Sequence, residues 1–370
     1  MKTSLCGCEQ GATLFFDSVR CTLCGRMAGF CPDQLLLASF DPHAAPDLWQ
    51  AVTPSAGIYR QCENYRSHQV CNWMVPASDP NAYCRACRLN AVIPDLGPSQ
   101  NRGYWAKLEA AKRRALYTLL GLGLTIASRE EDPAHGLQFR FMSDKEAGSE
   151  FTQPLWGQEP VYTGHNRGEI TINLAEADDI ALTRARIVLG EHYRTLLGHF
   201  RHELGHYFWY LFIGPDQRRL AQFRDLFGDE QQDYRQALDR YYGGGPRPEA
   251  GPDFISAYAA VHPWEDWAET CAHYLHMIDT LETAGDFGVQ LQGWQIPAAP
   301  LPQALPPGGG TAIDAPTLLR DWMRLAVGMN ALNRSMGMQD AYPFVLTEMV
   351  RRKLQYVHEV VMGELRGKSV

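Results

Sequence analysis

Residues 201–209 read RHELGHYFW. On an α-helix His202 and His206, four positions apart, stand one above the other on a single face and can offer two imidazole nitrogens to one zinc ion. Glu203 is rotated to the side of that pair, which places its carboxylate beside a fourth coordination position where a water would sit. Phe200, Leu204, Gly205, Tyr207, Phe208 and Trp209 are all uncharged, so the helix is expected to be buried, as such a site requires. The alternative is a helix that merely carries two histidines one turn apart.

A catalytic zinc takes three protein ligands and keeps one position open. Residues 262–277, HPWEDWAETCAHYLHM, offer the third. Pro263 suits the first helical position, and Glu265 follows within the first turn. Glu265 and Glu269 share a face, which lets Glu265 bind the metal while Glu269 accepts a hydrogen bond from the other ring nitrogen of a ligand histidine. His262, His273 and His276 lie near the same stripe, opposite Trp267, Ala268 and Cys271. Asp266 and His262 are alternative third ligands, and a helix with a solvated acidic side is the reading without metal. With zinc on His202, His206 and Glu265 the chemistry is metal-assisted hydrolysis, in which Glu203 takes a proton from water and delivers it to a leaving amine. Tyr342, Arg334, His273 and His165 are oxyanion donors by residue type alone.

Eight of the ten cysteines form two sets. Cys6 and Cys8 precede Cys21 and Cys24; Cys62 and Cys71 precede Cys84 and Cys87, and in both sets twelve residues separate the second cysteine from the third. Two close pairs of thiolates complete a tetrahedron around zinc, with no position left for water, so both ions would be structural. His68 is a substitute ligand in the second set, and exchange of ligands between the sets stays open. Cys31 and Cys271 read as packing residues.

These groups need elements to hold them. Residues 104–122 and several segments after 178 (179–190, 192–211, 215–227, 231–242, 263–284, 316–329 and 342–365) carry helical patterns, whereas 137–142 and 169–174 alternate as strands do. YTGHNRG, before the second strand, reads as a hairpin turn, and that strand is a candidate edge for an extended substrate. Residues 93–103 have the composition of a boundary, and 297–316, with six prolines and three consecutive glycines, that of a loop.

The 370 residues, 45% hydrophobic and 21% charged, suffice for a sizeable core, and the formal charge of -8 argues against a surface built to neutralise phosphates. Arg60, Arg66, Arg85 and Arg88 nevertheless give the second cysteine set some basic character. The apolar run 115–127 is too short to cross a bilayer. Without a secretory pattern at its start the chain is expected to be cytoplasmic, where clustered cysteines bind metal rather than form disulfides.

HELGH followed by EDWAETCAHY resembles the glutamate-zincin metallopeptidases, whose second helix supplies the third ligand; Glu265, Ala268 and Glu269 match that shape. FFDSVRCTLCG, CNWMVP, YCRACRLNAVIPDL, TINLAEADD, HPWEDWAET and NRSMGMQDAYPF together resemble a bacterial family of zinc-binding metallopeptidases with an N-terminal zinc-ribbon region. The resemblance implies an α+β chain: zinc-ribbon or rubredoxin-like modules at 1–35 and 36–97, then a mostly helical zincin-like domain with a small sheet at 98–370. It implies one catalytic and two structural zinc ions, and a peptide or protein substrate. The competing reading is a binding adaptor for protein or nucleic acid, with an inactive or latent zincin domain.

Overall fold

Alternating apolar residues and tight turns build the first part of the chain into an antiparallel meander. The computed structural model describes all residues except 53–55, 125, 144–162, 181, 184–194, 244–250, 292, 296–312 and 368–370. Strands β1 (Ser4–Leu5) and β2 (Thr13–Leu14) pair with each other. Strands β3 (Met27–Cys31), β4 (Leu36–Pro42), β5 (Trp49–Val52), β6 (Ile58–Gln61) and β7 (Met74–Pro76) follow in that order as one five-stranded sheet. Every residue of β3 is buried, because the chain before β7 returns to it: Phe30 N donates to Asn72 O at 2.9 Å. Gly29 permits this approach, since a Cβ there would stand 2.8 Å from Met74 Cγ.

Helix α1 (Ser99–Gly121) closes the same core. Its Tyr117 ring meets Phe16 at 5.3 Å and Phe30 at 5.7 Å, and Phe30 in turn meets Trp73 at 4.8 Å. A second, four-stranded sheet has the order β10-β11-β9-β8, from β8 (Asn90–Val92), β9 (Gln138–Met142), β10 (Gly164–Asn166) and β11 (Glu169–Asn173). The alternating residues Phe139, Phe141, Ile170 and Ile172 are buried on its inner face.

The strand expected to form an edge is therefore interior. Asn166↔Glu169 closes a hairpin with positive φ at Arg167 and Gly168, which pairs β11 with β10, while β9 lies parallel on its other side. Among the described residues the edges are β8 and β10.

Residues 1–121 and 125–185 make one compact unit; 122–124 and 186–370 make another. The packing boundary thus lies near residue 185, whereas the change in composition lies at 93–103. The second unit is helical: α2 (Leu196–Phe208), α3 (Gln217–Phe227), α4 (Tyr234–Gly243), α5 (Pro263–Asp286), α6 (Ala315–Ser335) and α7 (Glu348–Gly367). The expected helix 179–190 and the loop 297–316 fall mostly outside the described residues. No described helix is long and apolar enough to cross a membrane. The molecule is mixed α+β, with its cysteine clusters first and most of its helices after them.

Helices α2 and α5 pack closely at Gly205. A Cβ at this position would lie 2.9 Å from Ala268 Cα and 3.0 Å from Cys271 Cβ, and Trp267 Nε1 donates to Gly205 O at 2.9 Å. Gly205→Ala is therefore expected to push the helices apart and cost roughly 1–3 kcal/mol, the usual range for overpacking. Thermal unfolding measures it, with Gly243→Ala, where a Cβ meets nothing within 4 Å, as the control that leaves the midpoint in place.

Candidate metal centre

Caps fix the two helices that carry the site. Thr195 Oγ1 accepts from Gly198 N at 2.9 Å at the start of α2. At the start of α5, His262 Nδ1 accepts from Trp264 N at 3.1 Å, ahead of Pro263 at the first helical position. His262 is thereby committed: its Nε2 donates to Gln232 O at 3.2 Å. Asp266, fully buried, binds Lys353 Nζ at 2.5 Å. Of the three candidates for third ligand, Glu265 is the one brought to the histidines.

Ligand atoms of His202, His206 and Glu265 all lie within 4.8 Å of one another. His202 Nε2 stands 3.1 Å from His206 Nε2 and 3.0 Å from Glu265 Oε2, and His206 Nε2 stands 3.6 Å from Glu265 Oε1. Two donors at tetrahedral positions about 2.0–2.1 Å from zinc are separated by about 3.3–3.4 Å, so the spacing fits. Glu269 Oε1 lies 2.9 Å from His202 Nδ1, which donates to it. Buried Glu265 Oε2 lies 3.0 Å from His202 Nε2. Burial works to lower the His202 imidazole, but Glu265 and Glu269 outweigh it and hold it well above its ordinary value. A proton on Nε2, or a metal ion in its place, joins His202 to Glu265.

The surroundings complete the set. Glu269 Oε2 accepts from Ser256 Oγ at 2.7 Å, and Glu265 Oε1 from Tyr234 Oη at 2.7 Å. Burial, then the Glu265 charge, raises the Tyr234 phenol, so it stays protonated and donates. The Tyr258 ring lies 5.9 Å from that of His202. Glu203 Oε1 approaches His199 Nε2 at 3.3 Å, while its buried Oε2 has no partner among the described residues. Burial works to raise the Glu203 carboxyl, but His199, His206 and His202 outweigh it and hold it below its ordinary value. This is a carboxylate that stays ionised with one oxygen unengaged.

His199, Tyr234, Ser256 and Tyr258 were not singled out from the sequence. His199 alone left a signal, four positions before Glu203. Conversely, the four oxyanion candidates are occupied elsewhere. His273 Nδ1 and Tyr342 Oη are buried 2.8 Å apart, Arg334 pairs with Asp340 at 2.6 Å, and His165 Nε2 accepts from Gly168 N at 2.8 Å within its hairpin.

Both cysteine sets assemble as read, without exchange of ligands between them: Cys6, Cys8, Cys21 and Cys24 in one cluster, and Cys62, Cys71, Cys84 and Cys87 in the other. Cys6 Sγ lies 3.6 Å from Cys24 Sγ, and Cys71 Sγ 3.8 Å from Cys84 Sγ. Thiolates about 2.3 Å from one zinc ion are about 3.8 Å apart, far beyond a disulfide. Trp73 N and Cys84 N donate to Cys71 Sγ and Cys62 Sγ, each at 3.3 Å. The His68 ring packs on Trp105 at 5.6 Å, outside the cluster, and Cys31 and Cys271 are buried packing residues.

A family model described as "Putative zinc-binding metallo-peptidase" matches residues 101–360, and one described as a zinc-ribbon domain matches 5–98. The chain is 40% identical over 352 residues to uncharacterized proteins of Mycobacterium bovis and of two strains of Mycobacterium tuberculosis, covering 95% of this chain and 93% of each of theirs. No solved structure matches it.

Proposed function

Because the chain belongs to this zinc-binding metallo-peptidase family and carries its zinc-ribbon domain, we propose that it is a zinc-dependent peptide-bond hydrolase. His202, His206 and Glu265 hold the catalytic ion; the two cysteine sets hold structural ones. The ligands for the two structural ions lie within residues 1–97, and those of the hydrolytic centre within 98–370. The observation that carries the reading is the convergence of two imidazoles and a carboxylate from two packed helices beside an ionised, unengaged Glu203 oxygen.

Zinc, when bound, acidifies a water and polarises the carbonyl to be attacked. Glu203 Oε2 takes the proton of the attacking water and returns it to the leaving amine. His199 fixes the other Glu203 oxygen, Glu269 and Ser256 fix the His202 ring, and Tyr234 fixes Glu265. Tyr258, kept protonated by burial followed by the Glu265 charge, is a phenol of the right type to steady a developing oxyanion.

The adaptor reading has one observation in its favour, a surface cleft of about 600 Å³ lined by Pro42, Trp49 and Pro80 with Arg60, Glu63 and Arg66. Its basic character is largely satisfied internally. Arg60 binds the carbonyls of Asp79 and Asn81, Arg66 pairs with Glu63 at 2.8 Å, and Arg88 pairs with Asp79 at 2.6 Å. That leaves little of it for phosphates. Incubated with a proteome-derived peptide library, the zinc-loaded chain is expected to generate new termini that phenanthroline suppresses. No phenanthroline-sensitive cleavage, together with capture of a partner by the cysteine region, would establish the adaptor instead.

A further inference from the structure

The second cysteine set is sealed from water: Cys62, Cys71, Cys84 and Cys87 are 0–3% exposed. Four thiolates around a divalent ion carry two net negative charges, and burying them requires compensation from the protein. Helix α1, outside the cysteine-bearing segment, supplies three buried ionisable groups, Glu109, Lys112 and Arg113, of which Glu109 reaches Cys87 and Arg113 reaches the carbonyl before Cys71. Lys112 is spoken for, because its Nζ pairs with Glu109 Oε1 at 2.9 Å and also binds Asn90 Oδ1. Arg113 is different. Its Nη1 donates to Val70 O at 2.6 Å, one residue from Cys71, and otherwise comes no nearer than 3.8 Å to Glu109 Oε2, while its buried Nε has no hydrogen-bond partner among the described residues. Arg113 thus shares one carboxylate, Glu109, with Lys112, and two buried cations against one buried anion are expensive unless further negative charge sits next to them. Glu109 adds to the cluster's need for compensation, for its Oε2 lies 3.9 Å from Cys87 Sγ.

We propose that Arg113 is the fixed counter-charge of this cysteine site, so that α1 completes a metal centre whose ligands all lie before it in the chain. The proposal rests on the reading that Cys62, Cys71, Cys84 and Cys87 hold a zinc ion. Arg113 acts as a positioning residue through charge, and Glu109 opposes it.

The test uses the full-length chain carrying Cys21→Ser, Cys24→Ser and His206→Ala, so that one site remains, and measures zinc affinity by competition with a chromophoric chelator. Arg113→Met is expected to weaken binding about 10- to 100-fold, the usual effect of removing a partner that surrounds a metal site. Arg113→Lys is expected to fall between it and the parent. Glu109→Gln is expected to tighten binding, and this opposite sign is what a packing role cannot produce. Should Arg113→Met fail to fold, the lysine and Gln variants still decide. Unchanged affinity in Arg113→Met, equal losses in the Lys and Met variants, or weaker binding in Glu109→Gln each overturn the counter-charge. A Cys84→Ser chain that still binds as the parent does shows instead that the zinc assignment itself is wrong.

Discussion

Replacing Glu203 by Gln is expected to leave the zinc content unchanged and to lower kcat/KM for peptide cleavage about 10²–10⁴-fold, the range that a positioned general base and acid supplies. Gln has the shape of Glu and can keep the contact with His199, but its amide cannot take a proton from water. The ligands are untouched, since the structure places Glu203 beside the set made by His202, His206 and Glu265 and not within it. Loss of rate with full metal therefore separates proton transfer from metal binding. Wild-type cleavage by a fully loaded Glu203→Gln chain would sink the role given to Glu203, and a base elsewhere would have to be sought.

The features legible in the sequence were those whose partners lie within one helical turn or one tight turn. His202, Glu203 and His206 define a face by spacing alone, and each CxxC pair defines a knuckle. Spacing favoured Glu265 as the third ligand and left Asp266 and His262 as alternatives. His262, Glu265 and Asp266 crowd the first turn of α5, and which of them faces the histidines is settled by contacts far along the chain: Lys353 binds Asp266, and the Gln232 carbonyl holds His262. Tyr234 and Ser256 reach the site from loops and helices whose sequence carries no mark of it. The oxyanion candidates rested on residue type alone, which says nothing about the partner a side chain meets, as His273 and Tyr342 meet each other.

Strand order shows the limit again. Alternation found β11, and the hairpin before it was legible, yet β9, parallel on its other flank, could not be placed. Two cysteine sets suggested two separate modules. The sheet β3–β7 instead runs continuously from Met27 to Pro76, and α1 packs its Tyr117 into the same aromatic core. Burial of large apolar rings, which composition reveals only in total, joins what ligand spacing had divided.

Freshly purified chain is expected to hold about three zinc ions, and His206→Ala to remove one of them. Under a mild chelator the losses should come in steps set by access. The ion on His202, His206 and Glu265 leaves first, since three protein ligands keep a position through which a competing ligand can attack. The cluster with Cys24 exposed and Cys8 half-buried follows. The fully buried set of Cys62, Cys71, Cys84 and Cys87 is the last, and its loss should unfold the surrounding unit, because zinc bound in a closed thiolate site contributes on the order of 10–16 kcal/mol to the folding of small zinc-dependent modules. Metal analysis against time in chelator, with circular dichroism on the same samples, reads both quantities. Two ions or fewer at the outset, with no change in His206→Ala, would remove the catalytic site while leaving the cysteine clusters standing; a folded first unit with every cysteine-bound ion gone would mean that its aromatic core, not its metals, holds it together.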